Sequence, residues 1–185
     1  MNDTLNPLSC QTAAIEKRIA QSEKQSDDRA ALAATLRLFA VISVLLILFF
    51  SFFGFHTVRD SDMYPALVSG DLVLTYSKVD YRKGEIVMYE AGGKKRLGRI
   101  AAKEGDTIDF SSDGKFYVNG TAQVTDIAFP TYPPSGWEGS TVVPEGTVYV
   151  LGDFRTRSED SRTVGFVSKK SVISKVIALL RHNQL

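Results

Sequence analysis

Side chains that could transfer a proton or attack a carbonyl lie in three blocks of this chain. The first block is Asp60–Pro65, with the order Asp-Ser-Asp-Met-Tyr-Pro; the second is Gly98–Asp106, and the third is Gly152–Arg162. A serine hydroxyl attacks an amide efficiently only when a neighbouring base takes its proton. A carboxylate is a poor substitute, because its acyl product would be an anhydride. The residue types at the first two blocks therefore decide whether acyl transfer is available.

The three blocks resemble, in order and spacing, those of the signal peptidase I family (S26), serine proteases that use a Ser/Lys dyad. Asp62-Met63-Tyr64-Pro65 corresponds to the family's S-M-x-P. The second block corresponds to K-R-x-x-G-x-x-G-D, and the third to G-D-N-R-x-x-S-x-D-S-R. The third block matches almost throughout, whereas the first two differ at the residues that perform the chemistry.

The resemblance places Asp62 at the nucleophile position and Gly98 at the general-base position, so both members of the dyad are replaced. An ionised Asp62 would oppose the oxyanion that such sites stabilise, and Asp60 adds a second negative charge. The same two replacements are typical of the SipA-type homologues of Gram-positive pilus loci. Similarity to that group implies a non-catalytic pilus-assembly factor or chaperone that binds a pilin or other secreted preprotein and acts beside a sortase.

The resemblance also implies a substrate cleft that receives an extended preprotein segment. Its expected walls are Asp60, Ser61, Asp62, Met63, Tyr64 and Pro65 on one side and Leu97, Gly98 and Arg99 on the other. Strand addition depends on backbone hydrogen bonds and needs neither dyad residue. We expect Gly98 to widen this cleft and Asp62 to favour a cationic partner.

The third block has a structural interpretation. Its polar residues can pair with one another and with turn backbone groups, so they are expected to fix a loop. They are Gly152, Asp153, Arg155, Ser158, Asp160 and Arg162.

Two alternatives remain open. One is an active signal peptidase with relocated residues, Ser61 or Ser69 with Lys94, Lys95 or Lys103. On a strand, the odd shift from position 98 turns Lys95 to the opposite face, and Lys94 keeps the face but lies roughly 13 Å away, so this alternative requires a bulge. The other is a membrane-tethered β scaffold with an unrelated partner.

An apolar segment precedes the three blocks. Residues 38–55 contain no charged side chain and are long enough for a transmembrane helix. More basic residues precede this segment than follow it, which predicts a cytoplasmic N-terminal tail over residues 1–37 and an extracellular domain over residues 56–185. The tail itself is rich in helix formers.

After the apolar segment, short runs of β-branched and aromatic residues alternate with turn signals, which is typical of a mostly antiparallel β domain. Asp113-Gly114 and Asn119-Gly120 are predicted hairpin turns. Residues 129–146 are predicted to be irregular, and 169–180 to form a strand followed by a short helix. Pro65 is expected to keep the first block extended.

Composition excludes several classes of function. The chain has 185 residues and a formal net charge of +1, which argues against nucleic-acid binding. The single cysteine, Cys10, excludes an internal disulfide framework and a cysteine-built zinc site. With only His56 and His182, a histidine triad or a metal cluster is not expected, and no cofactor is predicted.

Overall fold

The computed structural model describes residues 7–77, 80–123 and 129–181. One long helix, α1 (Pro7–Phe52), begins the described part. Its portion Ala31–Phe52 is long and apolar enough to cross a membrane, and none of that portion is buried within the protein. The helix ends before the expected residue Phe55, because Phe53–Thr57 pairs with a later strand instead. The chain separates into two compact units between Phe49 and Phe50.

The second unit is built from short strands and two single-turn helices. In chain order they are β1 (Phe53–Thr57), β2 (Leu72–Tyr76), β3 (Ile86–Ala91), β4 (Lys94–Lys103), β5 (Thr107–Phe110), β6 (Phe116–Val118), β7 (Thr121–Ala122), β8 (Thr141–Val142), β9 (Thr147–Leu151), α2 (Ser161–Val164), β10 (Val167–Ser168), a 3₁₀ turn (Lys169–Ser171) and β11 (Val172–Leu180).

These strands form two antiparallel sheets. The larger has the order β1-β2-β11-β3-β4-β9-β10, and the smaller has the order β7-β6-β5-β8. This architecture confirms the predicted mostly β, antiparallel domain behind one apolar helix. Strand β1 is an edge strand, so the chain that leaves α1 enters directly at one side of the larger sheet.

Three groups of buried apolar side chains hold the sheets together. One group, which includes Val58, Met63 and Leu97, packs beneath the first block. A second group, which includes Tyr89 and Val150, lies around β3, β4 and β9. The third joins the smaller sheet to β9. The first two groups fix the segments that carry the first and second blocks.

Both predicted hairpin turns are confirmed. Asn119 and Gly120 have φ values of 53° and 75° between β6 and β7, as a type I′ turn requires. Asp113 and Gly114 lie between β5 and β6. The segment 129–146 is irregular apart from β8.

The predicted C-terminal helix is wrong. Residues Val172–Leu180 form one strand, β11, which lies between β2 and β3 and pairs with both. A register shift between Val176 and Ala178 interrupts the alternation of apolar residues, and this bulge explains why their spacing resembles a helical period.

Candidate functional site

The first block forms a tight turn, so the prediction of an extended segment is wrong. The Tyr64 amide donates to the Ser61 carbonyl at 3.0 Å, and the Leu67 amide donates to the Met63 carbonyl at 2.9 Å. The Tyr64–Pro65 peptide bond is cis. Met63 is fully buried in the apolar group beneath the turn, while Ser61 is exposed. The buried methionine thus fixes the turn and leaves Asp62 at its surface.

Asp62 is half-buried beside another carboxylate. Burial raises its pKa, the nearby Asp60 raises it further, and the backbone amide of Glu159 acts in the opposite direction. Among the described residues, Asp62 makes no ion pair. Its own carbonyl accepts a hydrogen bond of 2.9 Å from the Phe154 amide, so the third block holds its backbone.

Gly98 lies on β4 against a filled space. A Cβ atom built there would lie 2.5 Å from Val150 Cγ1 and 3.0 Å from Tyr89 Cε1. The expectation that Gly98 widens a cleft is therefore wrong, because these two side chains lie where a longer side chain would begin. Tyr89 is fully buried, burial raises its pKa, and its hydroxyl has no hydrogen-bond partner among the described residues.

The structure does not bring the lysines proposed as relocated bases to the position of Gly98. The β3–β4 register is unbroken along residues 94–99, and the bulge on β4 comes only after Ile100. Lys95 therefore faces the side opposite to Gly98, as an odd shift requires. Lys103 donates its amine to the Tyr81 carbonyl at 3.1 Å.

The serines proposed as relocated nucleophiles have no lysine partner either. Ser69 donates to the Arg59 carbonyl at 3.4 Å, and Ser61 and Lys94 are both exposed. Within residues 7–77, 80–123 and 129–181, no lysine amine is hydrogen-bonded to a serine hydroxyl.

The third block is a closed polar network centred on Asp160. The Asp160 carboxylate accepts from the Gly152 amide at 2.9 Å, from the Ser158 hydroxyl at 2.8 Å and from Arg162 Nη2 at 2.7 Å. It also caps α2. Asp160 is 1% exposed, so its charge is buried but fully paired.

Two further arginines connect this block to the rest of the domain. Arg99 of the second block makes a two-pronged ion pair with Asp153, with Nε 2.8 Å from Oδ1. Arg155 is buried and donates Nη1 to Thr131 Oγ1, outside the block, at 2.6 Å, and Nε to the Gly152 carbonyl within it at 2.9 Å. The block therefore positions the Asp62 turn and the second block relative to each other.

An open cavity of about 430 Å³ lies between two stretches of backbone. One side is β1 and its continuation, residues 55–60, and the other is Met88 with residues 95–97. Pairing of β4 with β9 begins only at Arg99, so the preceding β4 residues have one edge without a strand partner among the described residues. A free edge of this kind can accept an added strand.

The cavity includes only part of the expected cleft. Of the expected wall residues, Asp60 and Leu97 line it, whereas Ser61–Pro65, Gly98 and Arg99 do not. Its lining carries both signs of charge, and Arg96 is also paired with Glu159 at 2.7 Å.

Sequence reasoning missed Tyr89 and the lining contributed by residues 55–59. Residues 55–59 directly precede the first block in the sequence, so their place beside it could have been predicted. Tyr89 had no comparable signal, since its contact with Gly98 depends on the β3–β4 register.

Comparison with known proteins adds an independent observation. The profile of the family described as "Signal peptidase, peptidase S26" matches residues 31–180. Signal peptidase I of Bacillus caldolyticus is 31% identical over 161 residues, which cover 77% of this chain and 81% of that protein. Signal peptidase IB of Staphylococcus aureus is 26% identical over 147 residues, which cover 65% of this chain and 74% of that protein. A solved signal peptidase I from Enterococcus faecalis V583 is 26% identical with a TM-score of 0.47, covering 54% of this chain and 98% of that chain.

Proposed function

This chain belongs to the signal peptidase family, peptidase S26, and from that premise we propose that it is a non-catalytic, membrane-anchored member that binds preproteins. Its proposed role is that of a pilus-assembly factor or chaperone, similar to the SipA-type homologues. The family implies secreted preproteins as binding partners, and we propose a pilin precursor as the particular one, presented to a sortase.

One observation carries the non-catalytic part of this proposal: the space at position 98 is already filled. Val150 and Tyr89 lie against Gly98, so the base position lacks both an amine and the room for its side chain. At the nucleophile position Asp62 has no hydroxyl, and it makes no ion pair with any residue that the structure describes. Neither of these two positions therefore supplies a base for proton abstraction from a nucleophile, the step on which the family's chemistry depends.

The binding part rests on the open cavity and the free edge of β4. Backbone donors and acceptors along residues 95–97 can pair with an extended segment without any catalytic group. Phe55, the exposed apolar residue of the lining, can contact the apolar side chains of a signal region.

We further propose that α1 anchors the protein with the β domain outside the cell. The portion Ala31–Phe52 has the length of a membrane span; Lys24 and Arg29 precede it, and Arg37 lies in its N-terminal part. Basic residues are enriched on the cytoplasmic side of such spans, which favours a cytoplasmic N-terminus.

A cleavage assay tests the proposed absence of catalysis. The full-length protein in detergent, incubated with a secreted preprotein, should release no mature protein, while a signal peptidase I with an intact dyad cleaves the same sample. The pair Asp62→Ser and Gly98→Lys should restore little activity, because the new lysine must displace Val150 and Tyr89. Cleavage by the unmodified chain that is lost with Ser61→Ala would refute the proposal in favour of an active peptidase.

A deletion in the producing cell tests the assembly role. Without the gene, pilin precursors should be processed but not polymerised. Complementation with Asp62→Ala should restore polymers, whereas Thr57→Trp, which fills the cavity from an exposed lining position, should not. Accumulation of uncleaved precursor in the deletion strain would contradict the assembly role.

A further inference from the structure

A second cavity, of about 580 Å³, lies on the third block. One side is the Tyr132 segment (residues 132–135), and the other is formed by residues of the third block and α2. The side chains that line it include two arginines and several hydroxyls but no carboxylate. This composition differs from the mixed charge of the first cavity, the open cavity between residues 55–60 and 95–97.

Arg155 is the unusual member of this lining. It is 3% exposed, and its two hydrogen bonds go to neutral acceptors, the Gly152 carbonyl and Thr131 Oγ1 at 2.6 Å. Among the described residues it makes no ion pair. Burial lowers its pKa to about 10, although Asp153 and Asp160 offset part of that effect. A buried charge without a paired counterion is unfavourable, and a bound anion would relieve it.

The other arginine in the lining is already compensated. Arg162 lies 2.7 Å from the Asp160 carboxylate and also donates Nε to it at 2.9 Å. Of the two arginines in the lining, Arg155 is thus the one without an ion-pair partner among the described residues. A single negative charge would balance it, whereas a doubly charged phosphate would add excess negative charge beside Asp160.

From this charge balance we propose that the second cavity is a receptor for a carboxylate, supplied by an acidic side chain of a bound polypeptide. The Nη2 atom of Arg155 has no hydrogen bond among the described residues, and a planar guanidinium edge matches a carboxylate. Tyr132, Pro133 and Pro134 offer an apolar surface for the neighbouring part of such a segment. The lining of the second cavity shares no residue with the first cavity or with positions 62 and 98.

The test compares two peptides that differ by one charge. Acetyl-Ala-Glu-Ala-amide and its glutamine counterpart are titrated into full-length protein labelled with ¹⁵N-arginine in detergent, and the Arg155 Nε–H resonance is followed by NMR. The glutamate peptide should shift this resonance saturably, and the glutamine peptide should not. No shift with the glutamate peptide, or an equal shift with both, overturns the proposal; so does a saturable shift with inorganic phosphate but not with the glutamate peptide.

A matched pair of variants adds a second criterion that leaves Arg155 in place. Thr163 is exposed and lines the cavity, so Thr163→Glu supplies a carboxylate from within the chain, and Thr163→Gln is its uncharged control. The glutamate variant should weaken binding of the glutamate peptide at least about tenfold, and the glutamine variant by less than about twofold. Unchanged binding to Thr163→Glu would refute the site. Neither variant alters the first cavity, so failure here is distinguishable from failure of the proposed preprotein binding.

Discussion

Replacing Gly98 by alanine is expected to destabilise the protein, although alanine is normally the better residue in a strand. The added Cβ would lie 2.5 Å from Val150 Cγ1, closer than real atoms approach, and 3.0 Å from the Tyr89 ring. Overpacking of a well-filled core costs about 1–3 kcal/mol. Replacing a glycine within a strand by alanine by itself stabilises the folded protein by roughly 0.5–1 kcal/mol. The net loss in unfolding free energy should be about 1–2 kcal/mol, or a few degrees in Tm.

A double-mutant cycle identifies the responsible neighbour. Val150→Ala removes the atom that the new Cβ would meet, so Gly98→Ala should cost about 1 kcal/mol less in that background. Val148→Ala is the matched control: Val148 is equally buried, in the same apolar group, but it is not among the nearest contacts of position 98. Thermal unfolding of the full-length variants, followed by circular dichroism, gives the four values. If Gly98→Ala is as stable as the unmodified protein, or if the Val150 cycle is additive, the space at position 98 is not filled as described.

Asp62 and Asp71 should contribute to Tm at neutral pH with opposite signs. Burial raises the pKa of Asp62, so its ionisation opposes folding. Asp62→Asn should therefore raise Tm at pH 7. This gain in Tm should vanish below pH 3.8, the ordinary pKa of an aspartate, where both proteins are neutral at this position. A gain that persists unchanged at pH 3 would contradict this cause. Hydrogen bonding from Arg181 lowers the pKa of Asp71, so its contribution is present above 3.8 and is lost as pH falls through the lowered value. Asp71→Asn should therefore lower Tm at pH 7 and flatten the acid side of the Tm–pH curve, and parallel curves for variant and parent would count against the Arg181 contact.

Most of the fold could be predicted from local sequence patterns. Strand residues, hairpin dipeptides and the uncharged apolar segment each depend on neighbours in sequence, and the structure confirms the β architecture they predict. Within the third block the pairing of Asp160 with Arg162 is also local in sequence. Asp153 and Glu159 pair instead with Arg99 and Arg96 of β4, which the block's own residues do not predict.

The failures involve contacts that sequence distance conceals. The turn at Asp62 depends on burial of Met63 beneath it, and the full length of β11 depends on its two partner strands. The filled space at Gly98 arises from Val150 and Tyr89, which lie on two different neighbouring strands. None of these arrangements can be derived from the period or composition of one segment.

The contacts between the third block and the Asp62 carbonyl determine which substitutions this site could accommodate. The Asp62 carbonyl is held by the Phe154 amide, and it lies so near Gly152 that a Cβ there would come within 2.7 Å of it. Both of these contacts are made by the main-chain carbonyl of residue 62, so they do not depend on which side chain it bears. If the chain is non-catalytic as proposed, a hydroxyl at position 62 would need one substitution, whereas a lysine at position 98 would also need Val150 and Tyr89 to be replaced. On that proposal, the nucleophile position is the easier of the two to convert.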